Sequence, residues 1–343
     1  MGKTRIALVG GFASTNIGND FFTRSIEAVL SRISPDIEVI VTQNLPGYYW
    51  KEEGTNPKSS FNYIAHLDVD YLVLTGPLFD TNFPVLWRDT LTKLKEKGTK
   101  FIFFSGGSQK YDETEREQVG AFLKEVEPYA LVSRDNPTYE AYKSYAQHSY
   151  DGIDFAFFVG DLFKPYPLAM EKYVILNFDT EPEPKFGGPS QYGNQMEFLG
   201  KTWSYDPRSR SRIVKMISKR VGGLPEYYND KFGEFPIIRP VNYINPANTK
   251  GLFKAPNTYV SELAFDYLNL LANAEGVLSS RVHSCIASLV FGKEVMLFSK
   301  TRRGQLFDRV GLANIRNKPV SIDQDYLGEE KSRMYAFIRG LFT

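Results

Sequence analysis

Cysteine and histidine are scarce in this sequence, with one cysteine and three histidines among 343 residues. A single cysteine excludes an internal disulfide, and His66, His148 and His283 lack the spacing of metal ligands. No apolar run reaches the length that spans a membrane, and the first residues enter a predicted strand instead of a signal peptide. We therefore expect a cytoplasmic protein with no transmembrane segment, no bound metal and no cofactor.

The sequence also lacks an excess of charge of either sign. Its 41 basic and 40 acidic residues give a formal net charge of +1, so neither nucleic acid nor an acidic membrane is an expected partner. Small molecules are the expected partners, and no feature specifies an oligomeric state. A hydrophobic content of 42% is enough, at this length, for two domains with complete cores.

Two common nucleotide-binding signatures are absent from the turn after the first predicted strand. Gly10-Gly11-Phe12, followed by Asn16 and Gly18, is neither a Walker loop nor a Gly-x-Gly-x-x-Gly turn. The turn lies at the carboxyl end of a strand, which faces the ligand crevice in open sheets. We predict that it contacts a substrate or acts as a lid.

Short apolar runs alternate with helical patterns in both halves of the chain. This alternation predicts an α/β fold with two doubly wound, Rossmann-like domains that face each other across a cleft (GT-B-like). We predict an N-terminal domain over residues 1–165 and a C-terminal domain over residues 166–343, whose final helix packs back on the first. The predicted strands are residues 6–9, 38–41, 71–74, 100–104, 130–132, 173–178, 236–238, 276–278 and 295–298. Helical patterns follow Gly18, Phe83, Glu113 and Asn136 and lie near residues 209–219, 260–274 and 281–291.

Two long segments of the second half, residues 179–206 and 222–257, are interpreted as loops rich in glycine, proline and aromatic residues. Long aromatic loops at sheet ends commonly bind ligands, and their rings could stack on sugars. Alternatively, they are ordinary surface loops or are covered by an oligomeric partner.

Residues 279–292 form the most informative stretch and predict a strand end, a tight turn and a helix. Ser279 or Ser280 is expected to cap the helix, and Gly292 to end it. A phosphate would fit the free N–H groups at the helix start, with Arg281 as a fixed charge and His283 as a proton-transfer group.

These residues have structural alternatives. A histidine near a helix start is more often a packed structural residue than an acid or base, but the Arg-x-His pairing at a helix N-terminus makes the two interpretations about equal here. Cys285 stands two positions after His283 and so points to another side of the helix. We interpret Cys285 as a small core residue and not as half of a Cys–His dyad.

Four short elements resemble, in order, those of the polysaccharide pyruvyl transferase family, and the resemblance runs over nearly the whole chain. They are Asn16-Ile17-Gly18-Asn19-Asp20, Arg134-Asp135-Asn136-Pro137-Thr138, Asp154-Phe155-Ala156-Phe157 and Ser279-Ser280-Arg281-Val282-His283. Two departures concern the first half. A family Gly-Gly-Gly turn reads Thr75-Gly76-Pro77, and Asn19 shifts the acid after Gly18 by one position.

The resemblance implies a pyruvyl transferase that moves the enolpyruvyl group of phosphoenolpyruvate, its co-substrate, onto a sugar as a ketal and releases phosphate. The implied acceptor is a sugar residue of a polysaccharide or a lipid-linked oligosaccharide. His283 is the implied acid/base. The expected donor contacts are Ser280, Arg134, Arg281, Val282 and either Arg303 or Lys300. Because these groups concentrate in the second half, the acceptor contacts are expected in the first, and they are Asn16, Asp20, Gly76 and Gly106.

Alternatives stay open for the basic residues and for the function. Arg134 could pair with Asp135, or stay solvated while Asp135 caps a helix. The basic residues from Lys300 to Arg303 could form a solvated charge run. A nucleotide-sugar glycosyltransferase or a non-catalytic carbohydrate-binding protein could use the same scaffold.

Overall fold

Six parallel strands form a sheet in the first half of the computed structural model, which describes residues 3–11, 16–43, 45–46, 61–178, 181–207, 228–241 and 255–342. The strands are β1 (Thr4–Val9), β2 (Ile37–Thr42), β3 (Tyr71–Thr75), β4 (Lys100–Gly106), β5 (Ala130–Ser133) and β6 (His148–Asp151). They lie in the order β2-β1-β3-β4-β5-β6. The five predicted strands are confirmed. The sequence did not indicate β6, because this edge strand has no apolar run and none of its side chains is fully buried.

Helices cover both faces of this first sheet, which explains why its inner strands are apolar throughout. Side chains alternate along β1, so Ile6 and Leu8 pack with Phe21 on one face while Ala7 packs with Trp87 on the other. Burying one such large side chain contributes about 1.5–3 kcal/mol. The helices are α1 (Ile17–Ile33), α2 (Phe83–Glu96), α3 (Glu113–Val126), α4 (Asn136–Tyr142) and α5 (Val159–Leu162), with 3₁₀ turns at Ile64–His66, Lys143–Tyr145 and Phe155–Phe158.

The second half contains a larger and a smaller sheet. Its strands are β7 (Val174–Asn177), β8 (Lys185–Gly187), β9 (Asn194–Phe198), β10 (Lys201–Asp206), β11 (Lys231–Phe232), β12 (Phe235–Pro240), β13 (Thr258–Tyr259), β14 (Gly276–Ser279) and β15 (Glu294–Leu297). The larger sheet has the order β11-β12-β7-β14-β15, and β13 pairs with β12. Only β11 runs antiparallel to its neighbour within this sheet. The four strands predicted here from apolar runs are confirmed.

The interpretation of residues 179–206 as a loop is wrong, because much of this segment forms the antiparallel sheet β8-β10-β9. Leu199 and Gly200 connect β9 to β10 with φ angles of 53° and 71°, the backbone of a tight two-residue hairpin turn. Met196 and Phe198 are buried against Met296 of β15. The other predicted loop is only partly described, and within it β11 and β12 are strands.

Three helices of the second half are described: α6 (Ala264–Asn273), α7 (Val282–Val290) and α8 (Gln324–Gly340), with a 3₁₀ segment at Arg302–Val310. The helices predicted near residues 260–274 and 281–291 are confirmed with shorter bounds. The helix predicted near residues 209–219 lies outside the described residues. None of the helices in the described ranges is long and apolar enough to cross a membrane.

The C-terminal helix α8 contacts the first half of the chain. Phe337 stacks on Tyr150 of β6 with ring centroids 4.9 Å apart, and Lys331 Nζ lies 2.7 Å from Asp161 Oδ1. Just beyond the helix, the backbone oxygen of Leu341 accepts a hydrogen bond from the Tyr129 hydroxyl. The helix α8 and the residues just after it therefore pack against the first half of the chain, at β6 and its neighbours. The division at residue 165 stays a prediction.

Candidate active site

The turn between β14 and α7 presents the N-terminal end of a nine-residue helix. Arg281 is the N-cap residue, and no side chain caps the first turn. The expectation that Ser279 or Ser280 caps this helix is therefore wrong. Ser279 Oγ instead accepts from the backbone N–H of Arg281 at 2.8 Å and stabilises the turn before the helix. Gly292 follows the helix with a φ of 73°, the left-handed conformation expected of a residue that ends it.

Asn177, at the end of β7, holds this turn in place. Its backbone oxygen accepts from the N–H of Ser280 at 3.0 Å, and its side-chain oxygen accepts from Ser284 Oγ at 2.7 Å. Ser280 is buried beside it, and half-buried Val282 is the first helical residue. No sequence pattern singles out Asn177, because its role depends on two parallel strands that end side by side.

A second helix N-terminus meets the first one. The N-cap residue of α1 is Asn16, whose side-chain oxygen accepts from the N–H of Gly18 at 3.2 Å. The same oxygen accepts from Arg281 Nη2 at 3.1 Å. A single amide group therefore bridges the start of α1 to the residue that begins α7, across 265 positions of sequence.

The imidazole of His283 packs against the first turn of α1. A Cβ atom placed on Gly18 would lie 2.4 Å from His283 Nδ1 and 2.7 Å from its Cβ, closer than real Cβ atoms approach their neighbours. The ring centroid of His283 is 5.4 Å from that of Phe22 on the same helix. Glycine at position 18 is therefore required for the observed position of the imidazole.

Asp154, which directly precedes the 3₁₀ turn Phe155–Phe158, lies on the other side of His283. Its carboxylate is completely buried, with Oδ2 at 3.7 Å from His283 Nε2 and 3.4 Å from Arg134 Nη1. Oδ1 accepts from the N–H of Ala156 at 2.9 Å. Burial alone would raise the pKa of Asp154, but His283, Arg134 and the Ala156 N–H together hold that pKa below its usual value.

The sequence around Asp154 matches a family element, but this match alone does not indicate a role for the carboxylate. Asp154 opens the Asp-Phe-Ala-Phe element, one of the four on which the family resemblance rests. An acid before an apolar run also fits a simple helix cap, which Asp154 is as well. Only the structure shows that the same carboxylate lies beside two candidate site residues that are distant in sequence.

Arg134 is a buried cation, with 1% of its surface exposed. Asp135 caps α4 by accepting from the N–H of Thr138 at 2.9 Å, which confirms the capping alternative, whereas the alternative of a solvated Arg134 is wrong. The Nη1 atom of Arg134 faces Asp154, and the Nε atom of Arg134 is 4.0 Å from Asp135 Oδ2. Within the described ranges, the buried Nε and Nη2 atoms have no hydrogen-bond partner. Such atoms are costly to leave unpaired, and both pack beside Gly107; the contact of Arg134 with a donor stays a prediction.

Of the two rival basic residues after β15, the structure brings Arg303 to the cluster. Arg303 is half-buried and its Nη2 donates to Gln109 Oε1, whereas Lys300 is exposed. Burial lowers the pKa of Arg303, and the positive charges of Arg134 and Arg281 lower it further. Arg303 therefore lies within electrostatic range of two other guanidinium groups, an arrangement that an anion would stabilise.

The residues expected to contact the acceptor lie in different surroundings. Asp20 Oδ1 lies 3.2 Å from Arg24 Nε, and burial raises the pKa of Asp20 despite this partner. Gly76 has a φ of 82° and packs against Phe22, which in turn contacts His283. Gly106 packs against Leu131 and Phe79 instead. Their proposed contacts with an acceptor stay predictions.

Cys285 is completely buried in the apolar core, as expected of a small core residue. Burial raises the pKa of its thiol well above the usual value, which suppresses the reactive thiolate. In the part of the chain that the structure describes, no group of three or more His, Cys, Asp or Glu side chains is arranged to hold a metal ion.

Comparison with known proteins identifies a family and a fold. A sequence profile of the polysaccharide pyruvyl transferase family matches residues 16–300. The solved structure of S. aureus MnaA with UDP is 12% identical, with a TM-score of 0.52 over 98% of this chain and 90% of that one. A protein described as a UDP-N-acetylglucosamine 2-epimerase from Listeria monocytogenes is 11% identical, with a TM-score of 0.50 over 97% and 88%. At such identities the likeness shows the fold alone, which is GT-B-like. Among curated proteins, none matches significantly.

Proposed function

The chain belongs to the polysaccharide pyruvyl transferase family and is a transferase, and from this premise we propose its reaction. It transfers the enolpyruvyl group of phosphoenolpyruvate to a sugar residue of a polysaccharide or glycoconjugate. Two hydroxyls of the acceptor form a ketal with the pyruvyl carbon, and inorganic phosphate is released. The proposed compartment is the cytoplasm, and a lipid-linked oligosaccharide is a suitable acceptor there.

The observation that carries this proposal is the convergence of four short sequence elements on one imidazole. Gly18, Asp154 and Arg281 come from three of these elements and lie beside His283 in space or sequence. Arg134 comes from the fourth element, and both Arg134 and His283 face the Asp154 carboxylate. A packing role for His283 alone would not account for the clustering of residues this far apart along the chain.

The charges of the cluster suit a small donor with two anionic groups. Phosphoenolpyruvate carries a phosphate and a carboxylate, and each favours guanidinium groups and helix N-termini as partners. Arg134, Arg281 and Arg303 supply three cations, and α7 supplies an N-terminus without a side-chain cap. We assign these four features to the donor.

In the proposed mechanism, His283 acts as acid and base. It protonates the methylene carbon of the donor, which becomes a methyl group and makes the adjacent carbon electrophilic. One acceptor hydroxyl adds to that carbon and gives its proton to His283. The C–O bond to phosphate then breaks, a neighbouring hydroxyl closes the ring, and its proton goes to the departing phosphate. Arg281 and Arg303 stabilise the charge that develops on the departing phosphate.

A thermal-shift panel tests the donor assignment. Phosphoenolpyruvate should raise the melting temperature, since a ligand that binds only the folded state stabilises it. A nucleotide diphosphate that stabilises the protein in its place would indicate a glycosyltransferase, and stabilisation by sugars alone would indicate a carbohydrate-binding protein. Incubation with phosphoenolpyruvate and a panel of glycosides should then release phosphate only when an acceptor is present. Consumption of a nucleotide sugar would contradict the proposal.

A further inference from the structure

The buried carboxylate of Asp154 faces both a candidate donor-binding cation and the candidate acid/base. Its Oδ2 atom lies 3.4 Å from Arg134 Nη1 and 3.7 Å from His283 Nε2. Its Oδ1 atom is occupied by the N–H of Ala156, so the carboxylate cannot rotate without losing that bond. The orientation of Oδ2 toward the imidazole is therefore fixed by the backbone.

The two nitrogens of His283 have different surroundings. Nε2 is buried and, within the described ranges, has no hydrogen-bond partner at normal distance. The side chain as a whole retains 12% of its exposure, and this exposed area belongs to side-chain atoms other than Nε2. Nδ1 lies on the side of Gly18, at the start of α1. Nε2 is therefore the nitrogen enclosed beside Asp154, and Nδ1 is the other nitrogen of the ring.

We propose that Asp154 is a positioning residue that keeps a proton on His283 Nε2 and thereby makes Nδ1 the atom that exchanges protons with the substrates. An ionised carboxylate can only accept hydrogen bonds, so the nitrogen that faces it carries hydrogen. The separation of 3.7 Å is long for a hydrogen bond, and such contacts tighten when a ligand binds. This inference rests on the proposed function of His283.

The proton transfers follow from this assignment. In the imidazolium form, the Nδ1 proton moves to the methylene carbon of the donor, whose π electrons form the new C–H bond. The imidazole is left neutral, with its remaining proton on Nε2 and a lone pair on Nδ1. That lone pair then accepts the proton of the acceptor hydroxyl that adds. Asp154 stays ionised throughout and stabilises the imidazolium.

Asp154→Asn is the variant that tests the inference. Asparagine can still accept from the N–H of Ala156, but its amide NH₂ then faces His283 Nε2 and requires a lone pair there. The neutral imidazole should therefore change from the Nε2–H to the Nδ1–H tautomer. Turnover should fall by about two to four orders of magnitude, as expected when an acid/base histidine is held in the wrong tautomer.

Nitrogen-15 NMR of the histidine side chains measures the tautomer directly. With three histidines in the chain, the signals of His283 are those missing from His283→Ala. The wild-type protein, measured where its imidazole is neutral, should show Nε2–H. A wild-type Nδ1–H tautomer would overturn the inference without any variant, and so would an unchanged tautomer in folded Asp154→Asn.

Asp135→Asn is the matched control. Asp135 is equally buried, caps a helix in the same way and also lies near Arg134, but its other oxygen accepts from the Tyr111 hydroxyl and does not face His283. Its variant should leave the His283 tautomer unchanged, and a change there would mean that the tautomer responds to any loss of buried charge. The NMR result does not depend on catalysis. If no phosphate is released from phosphoenolpyruvate, the proposed function fails while the orientation by Asp154 is still tested.

Discussion

The two helix N-termini that meet at the site differ in how their first turns are occupied. The first turn of α1 is capped by its own Asn16 side chain, which also accepts from Arg281. The first turn of α7 has no side-chain cap. Since the first N–H groups of a helix need acceptors, the two ends are suited to different partners.

This difference assigns a role to each end. An uncapped N-terminus beside guanidinium groups is suited to anions, so we propose that α7 binds the donor. The first turn of α1 contributes Gly18, which leaves space for the imidazole, and buried Asp20. Its proposed partners are the neutral hydroxyls of the acceptor. The predictions below test this division, beginning with the variant of largest effect.

His283→Ala should lower turnover by about two to four orders of magnitude, as expected for loss of a general acid/base. Donor binding should stay near normal, because the arginines that bind it remain. Steady-state kinetics together with the thermal shift produced by phosphoenolpyruvate separate these two effects. His66→Ala is the control, since His66 is exposed and stacks on Phe61. Unchanged turnover in folded His283→Ala would make His283 a structural residue.

Arg281→Ala should weaken donor binding by about tenfold to a hundredfold, the effect of losing a hydrogen bond to a charged group. Unlike His283→Ala, it should reduce the thermal shift caused by phosphoenolpyruvate. Arg5→Ala removes the same charge at an exposed position that pairs with Asp68, and it should not change donor binding. Equal effects of the two variants would show that net charge, and not the start of α7, attracts the donor.

Gly18→Ala should lower turnover by about tenfold or more, because small displacements of a catalytic group are costly. The added Cβ would lie 2.4 Å from His283 Nδ1, so the imidazole must move. Gly328→Ala in α8 is the matched control, because a Cβ there meets nothing within 4 Å, and it should slightly stabilise the helix. Normal turnover in Gly18→Ala would mean that the imidazole does not need its observed position.

The sequence predicted the elements of the site better than their contacts. Apolar runs and glycine turns located β14 and α7 to within a residue or two, because both signals are local. The prediction that Ser279 caps α7 is wrong, since a serine hydroxyl can stabilise either the turn before a helix or the helix itself. The sequence does not distinguish these two cases. Asp154 and Asn177 received no role because their partners lie on other strands and helices.

The same distinction explains two of the errors in the fold. The strand β6 is a polar edge, so no hydrophobic period marks it. The hairpin β9–β10 lies within residues 179–206, whose glycines and aromatic residues among several charges indicate a loop. Its strands are stabilised by the few side chains that reach the neighbouring sheet, Met196 and Phe198 among them. Such packing depends on the tertiary structure and has no local signature.

Asp20→Asn should have the smallest effect on activity, a rise of about three- to tenfold in the acceptor concentration for half-maximal rate, as for loss of one hydrogen bond. The donor concentration for half-maximal rate should not change, and a large change there would reverse the roles given to the two helices. Stability provides a second measurement. Burial raises the pKa of Asp20 in the folded state, so its ionised form costs stability above that pKa and not below the unfolded value of about 3.9. Asp20→Asn should therefore raise the melting temperature at pH 7, and the gain should disappear as the pH falls below about 4.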